Sequence, residues 1–308
     1  MMFKNSIKLL CANFDRVWKL LLYHIICIGI YVGLLAIFYN TYIDMANLAI
    51  NQSGIEEIFK SGTLYGASIA EGLTAVGNLA INFFKELFIN HIGLGIYFCL
   101  LSFYILPLFL NVGKVVTCEM MYGYMSACQK QSFTGSLLKT LRSSLAYSSL
   151  KVLYAIPFNA LIVASMIGLT RIDNAIFDYI MPFVFVIVPA LLMAFKETFN
   201  AGWAPAKVVY NQNVCKSYWI GMRAVLRRGA RVFSTSFIIF LLAIVLSVVL
   251  GLYAIIIILP LISPLLHIFE MVMFFSSQGM RFYVDNDTVL SPKRLEEVDK
   301  IEDAKYLI

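Results

Sequence analysis

The sequence predicts an all-α fold: a polytopic membrane helix bundle of about six transmembrane helices, with amphipathic helices at the cytoplasmic interface. Three observations predict it. Hydrophobic residues fill 60% of the 308 positions and charged residues only 14%, whereas soluble domains run at roughly 45–50% and about 25%; the mean hydropathy is +0.81. Several apolar runs exceed the ~18 residues that mark a membrane helix. The cations cluster beside alternate ends of those runs, which is the positive-inside pattern of membrane proteins.

Six spans follow in order: 20–38, 92–112, 145–169, 176–194, 237–259 and 262–282. The first starts after Lys19 and lacks a small-residue cleavage site, so it is expected to stay as a membrane helix rather than leave as a signal peptide. Pro107 is expected to kink the second. The third carries Lys151, Pro157 and Asn159, and the fourth Pro182 and Pro189; neighbouring helices can satisfy the carbonyls that such prolines free. The fifth is the most apolar, and the sixth carries His267 and Glu270. The Pro260–Pro264 junction reads either as a tight outer turn between the last two or as the tip of two incomplete helices. Together the spans make one membrane domain, 1–285, followed by a charged tail, 286–308.

Twenty Lys and Arg fall in the N-terminal segment, in the loops after spans two and four, and at the C-terminal end, against Lys60, Lys85 and Arg171 on the other side. That asymmetry places both termini in the cytoplasm. The net charge of +6 thus reads as orientation, and no basic-aromatic module points to nucleic acid. The segment from Asn40 to His91 is expected outside, with one or two amphipathic helices; Leu73, Val76, Leu79, Phe83, Phe84 and Leu87 recur near helical spacing. The six cysteines include no Cys-x-x-Cys pair and read as small apolar residues without a disulfide framework.

Three stretches share a plan, each an amphipathic basic helix leading into a span. They are Phe3–Lys19 (Phe3, Ile7, Leu10, Phe14 and Val17 on one face), Ser132–Leu145 (Phe133, Leu137, Leu141, Leu145) and Ser217–Phe233 (Tyr218, Met222, Val225, Phe233). Intervals of three and four put each set on one side of a helix. In the third, Arg223, Arg227 and Arg231 form a separate stripe. An apolar face beside a cationic one suits a membrane surface carrying anionic headgroups. The three either anchor the bundle or dock lipid headgroups or a cytoplasmic protein partner.

The layout resembles uncharacterised six-span membrane protein families of Gram-positive bacteria, including those of the YesL type. Two stretches carry the resemblance: Met120–Gln131 with the basic segment Ser132–Arg142, and Asn200-Ala201-Gly202-Trp203-Ala204-Pro205-Ala206 with Ser217–Arg231. It covers most of the chain in layout and composition. It implies the architecture and no particular activity.

Ionisable groups within a span are costly, and so are functional candidates. Glu270 is the first, with His267 three residues earlier on the same helical face. Lys151 stands too far in depth to pair with Glu270 and is expected to snorkel. Asn159, Ser165 and Ser247 can hydrogen-bond between helices. Trp203, beside Pro205, is expected to mark an interfacial bend where the fourth helix leaves the membrane. Two ligands fall short of a metal site, and no cofactor is implied. No phosphate-binding loop, His-Glu-x-x-His or nucleophile elbow occurs.

Few polar groups are expected inside the bundle. With the basic interface helices, this favours a non-enzymatic accessory or scaffold component of a bacterial cytoplasmic membrane. The alternative is a permease or lipid transporter subunit served by a separate ATPase.

Overall fold

The computed structural model describes residues 2–53, 69–169, 175–250, 262–284 and 289–290. The second half of the fifth expected span (251–259), Pro260, Lys60, Arg171 and all of the expected tail except 286–308's strand residues 289–290 lie outside the described residues.

Along the described chain run α1 (Met2–Ala12), α2 (Phe14–Ala36), α3 (Tyr39–Ser53), α4 (Ile69–Ile89), α5 (Ile92–Cys99), a π-helical turn (Leu100–Ile105), α6 (Leu106–Ala127), α7 (Phe133–Leu169), α8 (Ala175–Asn200), α9 (Trp203–Tyr210), α10 (Val214–Leu226), α11 (Gly229–Leu250) and α12 (Ser263–Gln278). A short antiparallel ladder pairs β1 (Phe282–Tyr283) with β2 (Val289–Leu290). The all-α bundle read from the sequence is the fold observed.

Five described stretches are long and apolar enough to cross a membrane: Phe14–Ala36, Ile92–Ala127, Phe133–Met166, Phe183–Tyr210 and Gly229–Ser247. Large apolar side chains stand exposed along them, among them Ile26, Ile30, Ile96, Leu153, Phe183 and Ile238. So much exposed apolar surface drives association in water, whereas hydrocarbon solvates it. The chain is a multi-pass membrane protein.

Several helices outrun the predicted spans. The second span continues to Ala127, 36 residues in all, which at ~1.5 Å per residue is ~54 Å, against a hydrocarbon core of ~30 Å. Pro107 does not break it. The backbone widens into the π-helical turn just before, where the missing proline N–H and the crowded carbonyl one turn back are accommodated. Of the sixth expected span, the described residues form α12, buried without interruption from Leu266 to Phe275. A helix that is apolar and buried all round sits in the core of its unit. It ends at Gly279, whose φ of 68° is the left-handed conformation that glycine adopts without strain.

The chain forms two compact units. The first comprises residues 1–25, 109–150 and 194–308. α12 is its centre, packed against α1, α9, α10 and α11. α9 and α10 form a tight hairpin. Gly202 and Gly221 face each other so closely that a Cβ on Gly202 would lie 2.3 Å from the Gly221 carbonyl oxygen, so only glycine fits. The Trp203 indole N–H donates to the Val214 carbonyl at 2.9 Å, and its ring lies edge-on to Tyr147 and Tyr218. Trp203 therefore marks the expected bend, but as a buried core residue rather than an interfacial one.

The second unit comprises residues 26–108 and 151–193. Within it α3 packs on α4 and α4 on α5, which supplies the two helices expected between Asn40 and His91. Phe83 and Phe84 meet Phe98 edge-on. The Tyr97 hydroxyl donates to the Leu34 carbonyl at 2.9 Å, and Tyr31 shares a 2.8 Å hydrogen bond with Ser102.

Candidate functional site: a buried lysine between two carboxylates

Three helices of the first unit bring one cation and two carboxylates together. α6 is buried continuously from Val112 to Met121 and carries Lys114. The end of α8 carries Glu197 and the middle of α12 carries Glu270. The Lys114 ammonium donates to Glu197 Oε1 at 2.5 Å and to Glu270 Oε1 at 2.6 Å. All three side chains are withdrawn from solvent, at 2%, 7% and 0% exposure. The Tyr147 ring, wholly buried on α7, stands within electrostatic reach of all three.

The stoichiometry sets the chemistry. With every group ionised the trio carries one net negative charge, and an uncompensated buried charge is strongly disfavoured. One proton shared between the carboxyls removes it, and such a pair titrates as one coupled system. Lys196, adjacent to Glu197 in the chain, is half-buried and also within its electrostatic reach. Neutrality then comes from Lys196 or from one shared proton, and the cluster ties α6, α8 and α12 together.

The surroundings are polar as well. On α7 the buried positions Ser136, Thr140, Ser144, Tyr147 and Ser148 fall on one helical face. Of the apolar set Phe133, Leu137, Leu141 and Leu145 read from the sequence, Phe133 is buried, Leu137 and Leu145 are half-buried and Leu141 is exposed. Where lipid meets the helix, apolar side chains gain nothing by turning inward, and small polar residues take the packed face. α1 and the start of α2 repeat the pattern: Leu10 and Val17 are buried with Ser6, Leu9 and Asn13, while Phe3, Ile7 and Phe14 are exposed. A cleft of about 330 Å³ opens beside this face, lined among others by Glu119, Tyr122, Lys139, Thr140, Ser143 and Lys207. Glu119 accepts from Lys139 at 2.5 Å; Glu119 is buried and Lys139 is 66% exposed.

Of the residues singled out in the sequence, Glu270 belongs to the cluster. His267, one turn earlier on α12, is also buried. Lys151 and Asn159 belong to the other unit; Lys151 is buried at 8% exposure, not extended toward a surface, and Asn159 is half-buried. The Ser165 and Ser247 hydroxyls donate to carbonyls of their own helices, Ile162 and Ala243, rather than across helices. Arg223, Arg227 and Arg231 are exposed. They do not form one straight stripe, because the helix breaks at Arg227–Arg228 between α10 and α11.

Sequence reasoning missed Lys114, Glu197 and Tyr147. Lys114 was assigned to a loop after the second span, yet Val112, Val115, Val116, Met120 and Met121 continue the apolar helical pattern past it. That continuation was the available signal. The six cysteines are free thiols. Among the described residues no group of three or more His, Cys, Asp or Glu is placed to hold a metal ion. The chain matches no family model, no curated protein and no solved structure.

Proposed function

We propose that the chain is a non-enzymatic permease component of a bacterial cytoplasmic membrane, with both termini inside, in which the Lys114–Glu197–Glu270 cluster changes charge state during transport. The observation that carries this reading is the cluster itself. An ion trio on three helices is a poor choice for packing alone, since apolar residues of similar volume do that as well or better. Ionisable groups held inside membrane proteins are characteristic of ion and proton paths. The polar face of α7 supports the same reading, because it replaces the polar poverty that had favoured a scaffold: among the described residues, sixteen of the eighteen buried polar or charged ones belong to the first unit.

The test is solute-dependent proton movement in proteoliposomes containing an internal pH dye, challenged with a panel of amino acids, sugars and carboxylates. Wild type should acidify or alkalise the lumen with at least one of them, and Glu270→Gln should not. A panel that moves no protons, or a Glu270→Gln protein that moves them as wild type does, overturns the proposal.

The accessory-scaffold reading keeps one supporting observation, the exposed cationic run on α9–α11. If it is the better account, gentle-detergent purification from native membranes yields a stoichiometric protein partner that is lost on substituting Arg223, Arg227 and Arg231.

A further inference from the structure

We infer that the break between α10 and α11 binds the phosphate of an anionic phospholipid headgroup. Between Glu197 and Glu270 the sequence holds no Asp or Glu, so the segment is purely cationic. The cations converge at one point. Arg227, Arg228 and Arg231 line an open recess of about 510 Å³ together with Leu226, Gly229 and Ala230. None of the three makes an ion pair with another described residue.

Two further features select a lipid over a free anion. α11 begins at Gly229 and is itself one of the stretches long and apolar enough to cross a membrane, so the recess lies where a spanning helix starts, at headgroup depth. The Arg231 and Val232 backbone N–H groups donate to the Arg228 carbonyl at 3.0 and 3.1 Å, so the attraction for an anion comes from the guanidinium groups. On α10, Leu226 in the recess and Trp219 two turns earlier on the same helical face are 59% and 57% exposed; an exposed Trp in line with a leucine is suited to the boundary between headgroups and acyl chains. Guanidinium groups meet phosphate oxygens through paired donors, which a solvated ammonium does less well.

The experiment uses the intact chain in phosphatidylcholine nanodiscs, with bromine-labelled acyl chains on either phosphatidylglycerol or phosphatidylcholine as quenchers of Trp219; a Trp219→Phe protein supplies the background from Trp18 and Trp203. Quenching should be selective for phosphatidylglycerol. Each arginine near an anionic surface contributes about fivefold in affinity, so R227Q/R228Q/R231Q should weaken that selectivity by roughly 100-fold. Single substitutions, each expected to give about fivefold, decide the matter if the triple variant does not fold. Inorganic phosphate added in solution should leave the quenching unchanged. Equal quenching by both lipids, unaltered selectivity in the variants, or displacement by inorganic phosphate overturns the assignment; the last would make the recess a site for a free anion. None of these results depends on transport.

Discussion

Replacing Lys114 with methionine should be among the most damaging single substitutions in the first unit, and the damage should be reversible by removing its partners. Methionine fills much of the lysine volume but leaves Glu197 and Glu270 buried without the ammonium that binds both at 2.5 and 2.6 Å. Breaking a buried ion pair by removing one partner costs about 3–5 kcal/mol. Over a cooperative unit of this size that is a fall in melting temperature of roughly 6–20 °C. The chain's own thiols supply the assay. Cys27 and Cys118 are buried, Cys11 and Cys215 are exposed, and Cys99 and Cys128 are partly exposed, so a thiol-reactive dye in a Cys11→Ser, Cys99→Ser, Cys128→Ser, Cys215→Ser background reports unfolding. The neutral triple variant Lys114→Met, Glu197→Gln, Glu270→Gln should melt well above the single variant, because no charge is left stranded. If the triple variant melts no higher than Lys114→Met, the loss is one of packing and the electrostatic argument fails.

The same assay checks three contrasts. Lys139→Ala removes an ion pair of the same 2.5 Å length, but Lys139 is 66% exposed, so the change should stay within about 1 kcal/mol. A Lys139→Ala protein as unstable as Lys114→Met would show that burial is not the deciding variable. Gly221→Ala should destabilise by about 1–3 kcal/mol or more, since its Cβ would lie 2.3 Å from the Gly202 carbonyl oxygen; an unchanged melt would mean the hairpin separates freely. Trp203→Phe keeps a ring but loses the bond to Val214, a loss of about 1 kcal/mol. The orientation has its own test: a membrane-impermeant maleimide should label Cys11 and Cys215 in inverted vesicles and neither in intact cells. Labelling of either from outside refutes the positive-inside assignment.

Fold class was legible because hydrophobicity is a property of single residues summed over a window, and five long apolar helices survive any detail of packing. The ends of those helices were not. Lys114 and Glu197 looked like the polar flanks that terminate spans, and a charge count takes each cation as facing water. Here helices run past the hydrocarbon thickness and pack against one another. A lysine two residues beyond an apolar run can then be as buried as the run itself. α12 has the composition of a membrane helix, and only the structure shows how fully its neighbours enclose it from Leu266 to Phe275. On α7 periodicity identifies the apolar side, and burial shows that small polar residues such as Ser136, Thr140 and Ser144 take the side packed on protein.

The sharpest separation between a transport element and a structural tie comes from the two carboxylates, not from the lysine. Glu270→Gln and Glu197→Gln each substitute an amide for a carboxyl of nearly the same shape and leave one lysine facing one carboxylate. If the wild-type cluster carries an excess negative charge or a shared proton, either variant removes that burden, and stability should hold or rise, by up to about 1–4 kcal/mol. The same variants cannot exchange the proton, so solute-linked proton movement should cease. Stable and inactive is therefore the signature expected of both. A purely structural cluster predicts a stable protein with unaltered proton movement. A fall of about 3 kcal/mol or more, the range for stranding a buried partner, would mean that the ammonium needs both carboxylates, that Lys196 already balances the charge, and that no exchangeable proton resides there.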